Sequence, residues 1–136
     1  MHIVFGTDEE TTLTDALLET LSKMGHSVDW VARGKEWPEV GRQVGEAVAG
    51  GRADFGVVCC WTGTGVSISA NKVRGVRAAL CTDALTAQGA RRWNDANVVA
   101  LSIRLTSPEV GREILEAFFG TDPDEQELER ISMVEL

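Results

Sequence analysis

Long apolar runs and basic residues are both scarce in this chain of 136 residues. No run approaches the roughly 20 apolar residues that a membrane-spanning helix needs. The first residues, MHIVFG, lack the basic segment and the long apolar segment of a signal peptide, so we expect a first strand there. Lys and Arg number 13 against 21 Asp and Glu, a net charge of −8. This charge disfavours nucleic acid and membranes as partners, because both are anionic.

Cysteine is also sparse, and the three thiols, Cys59, Cys60 and Cys81, are odd in number and lie in strand-like runs. This pattern argues against a disulfide framework and predicts a reducing, cytoplasmic setting. No cluster of His, Cys, Asp and Glu has the spacing of metal ligands, so we predict no metal site and no cofactor.

Short apolar runs alternate with segments of helical periodicity along the chain. Strands are predicted at 2–6, 27–32, 54–60, 76–82 and 97–103. Helices are predicted over 12–24, 37–50, 64–72, from about 83, and over 108–119. The first helix is expected to open with a capping box of Thr12 and Asp15 and to stop at Gly25.

Strands that alternate with helices predict one α/β domain, a Rossmann-like three-layer sandwich with a central parallel sheet of about five strands flanked by helices. We assign residues 1–120 to this domain. Residues 121–136 form an acidic tail that we expect to be helical and to pack on the domain or on a partner subunit. In such folds, ligands bind beyond the carboxyl ends of the strands.

The segment that follows the third predicted strand is the most informative one for chemistry. It leaves the strand at Cys60, passes Gly63 and Gly65, and enters a short helix. Glycines at these positions let backbone N–H groups turn toward a ligand, and a helix N-terminus favours an oxyanion or a thiolate. Cys59 and Cys60 point to opposite faces of the strand, so at most one faces a pocket. Both could equally be core residues, and the local pattern leaves this open.

Three motifs resemble the ribose-5-phosphate isomerase B and galactose-6-phosphate isomerase family. They are ADFGVVCCWTGTGVSISANKVRGVRAAL at 53–80, ARRWNDANV at 90–98 and GTD at 6–8. The likeness runs in order from about position 1 to 120. It identifies the chain as a divergent member of this family.

The resemblance implies a role for several residues. Cys60 falls on the base that moves a proton between the first two sugar carbons, and Thr62 on a threonine that handles hydroxyl protons. Gly63 and Gly65 fall on the anion hole, and Asn94 on an asparagine that contacts substrate oxygens.

Further positions complete the implied site. Asp8 falls on an aspartate that binds sugar hydroxyls, and Arg104 on an arginine that helps to hold the phosphate. Some members carry a glutamate base where this chain has Val66, which leaves Cys60 as the candidate. The family forms dimers or dimers of dimers with composite sites, so we expect at least a homodimer.

The chain departs from the family pattern at several positions of the implied substrate site. Glu9 and Trp93 replace two histidines, the second of which opens the sugar ring, and Trp61 replaces a glycine. We expect all three at the substrate, the tryptophans as apolar walls and Glu9 as a charge that disfavours a phosphate. The C-terminal arginine segment is replaced by 124–131, where only Arg130 corresponds.

The sequence therefore predicts an aldose–ketose isomerase that acts on a small sugar phosphate of the ribose 5-phosphate type through an enediolate, with Cys60 as base. Alternatives are a non-catalytic binding protein for a sugar or sugar phosphate, and an isomerase of a non-phosphorylated sugar. A dinucleotide site is disfavoured because Ile68 stands where the third glycine of its motif is needed.

Other prominent residues have structural interpretations. Arg91 and Arg92 are expected on a solvated helix face, and Trp30 and Trp37 in the core or an interface. The two histidines are expected away from the site, His26 in an exposed turn.

Overall fold

The computed structural model describes residues 1–135, and its five strands form a single parallel sheet. The spatial order of the strands is β2-β1-β3-β5-β4. The strands are β1 (His2–Thr7), β2 (Ser27–Trp30), β3 (Phe55–Cys60), β4 (Ala78–Leu80) and β5 (Val98–Ser102). Parallel pairing brings the carboxyl ends of all five strands to one edge of the sheet.

Helices cover both faces of this sheet, which confirms the predicted α/β three-layer fold. They are α1 (Thr12–Lys23), α2 (Trp37–Ala49), α3 (Thr64–Asn71), α4 (Ala84–Asn94), α5 (Pro108–Phe119) and α6 (Leu128–Ser132). Apolar side chains of α1, α4 and α5 share one core with the sheet, and those of α2 and α3 share the other.

Strand β3 is the centre of the sheet and belongs to both cores. Val57 and Cys59 point to the side of α1 and α5, whereas Val58 and Cys60 point to the side of α2 and α3. This alternation confirms that the two adjacent cysteines face opposite layers. All four side chains are almost fully buried, and burial of an aliphatic side chain contributes about 1.5–3 kcal/mol to folding.

The capping box of α1 lies one residue earlier than predicted. Thr11 is the N-cap, and its Oγ1 accepts a hydrogen bond from the N–H of Thr14. In return, Oγ1 of Thr14 accepts from the N–H of Thr11 at 2.8 Å. The box of Thr12 and Asp15 was wrong because a threonine hydroxyl serves here in place of a carboxylate. The helix ends just before Gly25, as expected, and Gly25 has a φ of +86°.

Both edge strands are shorter than the sequence predicts. At the end of β2, Ala32 takes a left-handed backbone conformation with φ +54°. At the start of β4, the side-chain amide of Asn71 replaces a strand partner for Ala78. Its Nδ2 donates to the carbonyl oxygen of Ala78 at 2.9 Å, and its Oδ1 accepts from the N–H at 2.8 Å.

Arg91 corrects another prediction, because it is buried rather than solvated, with 5% of its surface exposed. Its Nη1 donates to Oδ1 of Asp95 at 2.7 Å and to the carbonyl oxygen of Ala96 at 2.6 Å. Its guanidinium also lies over the ring of Phe55. Only Arg92 is exposed as predicted, and its carbonyl oxygen accepts from the N–H of Asp124 in the tail.

Candidate active site

A cleft opens at the carboxyl edge of the sheet, where β3 leads into α3. Its volume is about 330 Å3. It is lined by Asp8, Trp37, Cys60, Trp61, Thr62, Thr64 and Gly65. The structure thus brings together Cys60, Thr62, Asp8, Trp61 and Gly65, all of which the sequence assigns to a site.

Cys60 is the last residue of β3 and lies at the foot of the cleft, with 4% of its surface exposed. Its carbonyl oxygen accepts from the N–H groups of Gly63 and Ile103, which fixes the turn out of the strand. The other two thiols, those of Cys59 and Cys81, do not line the cleft. Burial raises the pKa of Cys59 far above its usual range and that of Cys81 to about 12, so neither is suited to act as a base.

Gly63 is the N-cap of α3 and has φ +76°, a conformation that glycine adopts without strain. A Cβ atom there would also lie 2.6 Å from Cδ1 of Leu80 and 2.9 Å from the backbone carbon of Leu101. The first N–H groups of a helix have no partner within the helix, so those that follow Gly63 are available to an anion.

Thr62 and Thr64 carry the exposed hydroxyls of the cleft. Their Oγ1 atoms are 2.6 Å apart, and either can donate to the other. A hydroxyl pair of this kind can accept a proton from one oxygen and give one to another. The pair therefore suits the transfer of protons between substrate oxygens.

Asp8 follows β1 and contributes the only carboxylate among the lining residues of the cleft. Its Oδ1 is buried without a hydrogen-bond partner within the described chain. Burial, and then the charge of Glu9, raise the pKa of the Asp8 carboxyl above its ordinary value. Glu9 itself is exposed and does not line the cleft, so it acts on the site through its charge.

Two neighbouring loops meet at the rim of the cleft. The carbonyl oxygen of Trp61 accepts from Oγ of Ser102 and from the N–H of Arg104, both at 2.9 Å. The Trp61 side chain is 55% exposed. Arg104 is exposed at the same edge of the sheet but does not line the cleft.

Trp37 is a cleft residue that the sequence places in the core or an interface. It begins α2, is 43% exposed, and lies against the backbone of Gly65. The sequence did contain one indication that Trp37 lies near the site. Trp37 begins a predicted helix, and a helix that follows a parallel strand begins at the carboxyl edge of the sheet. Trp30, in contrast, packs edge-on against Phe5, as expected of a core residue.

Trp93 and Asn94 do not reach the cleft of their own chain. They end α4, which leads back from the carboxyl edge to the amino end of β5. There they line a separate cavity of about 500 Å3, together with residues of β4 and of the tail. A single chain therefore does not bring these two predicted site residues to Cys60.

Neither histidine lies at the cleft. His2 is at the amino end of β1, where its Nε2 is 2.8 Å from Oδ2 of Asp29. His26 is half-buried rather than exposed, because its ring packs on Phe119. Residues 1–135 contain no group of three or more His, Cys, Asp or Glu side chains arranged to hold a metal ion. No helix within that part of the chain is long and apolar enough to cross a membrane.

Comparison with known proteins gives consistent matches. The family described as ribose/galactose isomerase matches residues 3–134. Ribose-5-phosphate isomerase B of Escherichia coli K12 is 37% identical over 110 residues, which cover 78% of this chain and 74% of that protein. D-erythrulose-4-phosphate isomerase of Pectobacterium atrosepticum is 37% identical over 116 residues, which cover 85% and 76%.

Solved structures agree with these matches over nearly the full length. Ribose-5-phosphate isomerase B of Clostridium thermocellum superposes with a TM-score of 0.93 at 32% identity, covering 99% of this chain and 95% of that one. The type B ribose 5-phosphate isomerase of Trypanosoma brucei gives 0.92 at 33% identity, covering 98% and 96%.

Proposed function

The chain belongs to the ribose/galactose isomerase family of enzymes, and on this premise we propose that it interconverts an aldose and a ketose with Cys60 as the base. The substrate we propose is a small sugar phosphate of the ribose 5-phosphate type. The observation that carries the proposal is the position of the Cys60 thiol, at the foot of a cleft whose wall is the N-terminus of α3.

The reaction moves one proton between neighbouring carbons. The Cys60 thiolate takes the proton from carbon 2 of the open-chain aldose, and the electron pair of that bond forms an enediolate. The same thiol then returns the proton to carbon 1, which yields the ketose. The N–H groups after Gly63 face the oxygen on which negative charge develops, and preorganised donors of this kind lower the barrier strongly.

Hydroxyl protons must move between oxygens 1 and 2 during the same step. Thr62, hydrogen-bonded to Thr64, is the group in the cleft that can pass such protons. The carboxylate of Asp8, which lines the cleft, accepts from a sugar hydroxyl. Trp37 and Trp61 offer apolar surfaces for the C–H groups of the sugar.

We propose further that two copies of the chain form each site. Asn94 and Trp93 lie at the amino edge of the sheet, whereas Cys60 lies at the carboxyl edge. A homodimer, alone or within a dimer of dimers, would present Asn94 of one copy to Cys60 of the other. Large apolar side chains are exposed on both regions, among them Ile68 at 58% and Trp93 at 56%, as expected for surfaces that a partner covers.

A second candidate function is isomerisation of a non-phosphorylated sugar. No cationic side chain is among the lining residues of the Cys60 cleft, and Glu9 stands beside Asp8. For the phosphorylated substrate, we propose Arg104 as the cation that binds the phosphate. The hydrogen bond from its backbone N–H to the carbonyl oxygen of Trp61 holds Arg104 near the rim of the cleft.

The test is turnover of ribose 5-phosphate and of unphosphorylated aldoses, followed by NMR in deuterated water, which also reports proton exchange at the reacting carbons. Cys60→Ala should reduce kcat by about a thousandfold or more, as expected for loss of an essential base. Cys59→Ala is the matched control, because that thiol lies in the opposite core. Binding of a sugar with no conversion by the wild type would support the non-catalytic alternative instead.

A further inference from the structure

An ion pair between Glu127 and Arg130 lies on the surface around the cavity that Asn94 lines, which we call the Asn94 face. Both carboxylate oxygens of Glu127 lie within hydrogen-bond distance of Nη1 of Arg130, at 3.1 and 3.0 Å. The two side chains line the same cavity of about 500 Å3 as Asn94 and Trp93. Glu127 is the more buried partner, with 20% of its side chain exposed against 78% for Arg130.

The second cation of this cavity is also engaged. Arg77 pairs with Oδ2 of Asp95 at 3.3 Å and with Glu135, and its Nε donates to the carbonyl oxygen of Asp95. Among the residues that line the cavity, each positive charge therefore has a carboxylate partner. An anionic group that arrives here must compete with Glu127 for Arg130.

We propose that Glu127 is a specificity-determining residue that weakens the hold of this face on a phosphate, relative to an uncharged end of a sugar. The inference rests on the proposed function, in which the Asn94 face meets the substrate bound at Cys60 of the other copy. Glu127 acts in two ways, by holding the guanidinium and by placing a like charge beside the phosphate.

The strength of the Glu127–Arg130 pair determines how much Glu127 weakens the binding of a phosphate. An ion pair whose cation is this exposed is weak, so a phosphate dianion can displace the carboxylate. Repulsion between the displaced carboxylate and the dianion remains, screened by water. The outcome is a site that holds a phosphate less tightly than it would with an uncharged residue at position 127.

Steady-state kinetics with Glu127→Gln test the proposal. We expect KM for ribose 5-phosphate to fall by about three- to tenfold, while KM for ribose stays within about twofold and kcat is unchanged. Glu129→Gln is the matched control, since it removes one negative charge two residues away, and the Glu129 carboxylate forms no ion pair with Arg130 in the described chain. Equal changes for the two substrates, or for the two variants, would overturn the proposal.

A binding measurement separates this inference from the proposed function. Calorimetric titration of the wild type and Glu127→Gln with inorganic phosphate requires no turnover, and the variant should bind about three- to tenfold more tightly. In an Arg130→Ala background the same change should give a smaller gain, because it then removes only the repulsion between Glu127 and the phosphate. Tighter phosphate binding in a protein that converts no sugar would overturn the proposed reaction and leave the role of Glu127 intact. Unchanged phosphate binding in the folded variant would overturn the role of Glu127.

Discussion

The indole of Trp37 lies directly against Gly65, so that a Cβ atom at position 65 would be 2.8 Å from Cδ2 of Trp37. This contact joins the first residue of α2 to the first turn of α3. Both residues line the cleft above Cys60. The absence of a side chain at position 65 is thus part of the shape of the site.

Gly65→Ala should displace Trp37 and disturb substrate binding more than folding. We expect KM to rise by about tenfold, because an overpacked contact shifts the neighbouring side chain. Steady-state kinetics of Gly65→Ala, Trp37→Ala and the double variant measure the coupling between the two positions. In the Trp37→Ala background the alanine at 65 should have little further effect. A full tenfold loss there would show that the indole is not the obstacle.

Gly63 and Gly34 share the same backbone φ of +76° but differ in surroundings. No atom lies within 4 Å of a Cβ placed at Gly34, whereas one at Gly63 would collide with Leu80 and the backbone of Leu101. Gly34→Ala should cost about 1 kcal/mol of unfolding free energy, the cost of a left-handed alanine. Gly63→Ala should cost about 3 kcal/mol or more, since steric strain is added. Urea unfolding of both variants checks this, and equal losses would contradict it.

Asp8→Asn should raise the free energy of unfolding at neutral pH. Burial and Glu9 raise the pKa of the Asp8 carboxyl, so the folded state binds this proton more readily than the unfolded state. Stability contributed by the protonated carboxyl is then lost as the pH rises from the ordinary value of 3.8 through the folded pKa. The advantage of the variant should therefore shrink as the pH falls toward 3.8.

Urea unfolding of wild type and Asp8→Asn at several pH values makes this measurement. Glu9→Gln removes only the second cause and should give a smaller effect of the same sign. Asp8→Asn should also raise KM for the sugar, because the amide is uncharged and keeps only one of the two acceptor oxygens of the carboxylate. A variant that is less stable than the wild type at neutral pH would contradict the prediction.

Cys60→Ala and Asn94→Ala should each be inactive alone and active when mixed. In a composite dimer, one site of a mixed pair combines Cys60 of one copy with Asn94 of the other. Random exchange of equal amounts of the two variants should restore about a quarter of wild-type activity, because half of the dimers are mixed and each has one intact site. The assay is turnover after subunit exchange. Each variant incubated alone is the control, and no recovery despite exchange would contradict a shared site.

Much of the fold follows from the sequence because β3 and β5 are apolar almost throughout and several of the turns between elements contain glycine. The positions of the candidate-site residues were predictable where they are close in sequence, as for Cys60, Thr62 and Gly63 in one loop. Trp37 was missed because its role depends on an approach to Gly65 from a distant helix. Arg91 was misplaced because a charged residue on a helix is usually solvated. Its burial depends on acceptors and rings supplied by other segments.

The bonds between Asn71 and Ala78 also bear on how the protein stays dispersed in a crowded solution. β4 is the outer strand of the sheet, and unpaired groups on an outer strand invite the strand of another molecule. The Asn71 amide occupies the N–H and the carbonyl of Ala78 at once, so that neither is left for a foreign strand. A side chain thus makes the first backbone groups of this outer strand unavailable to a second molecule.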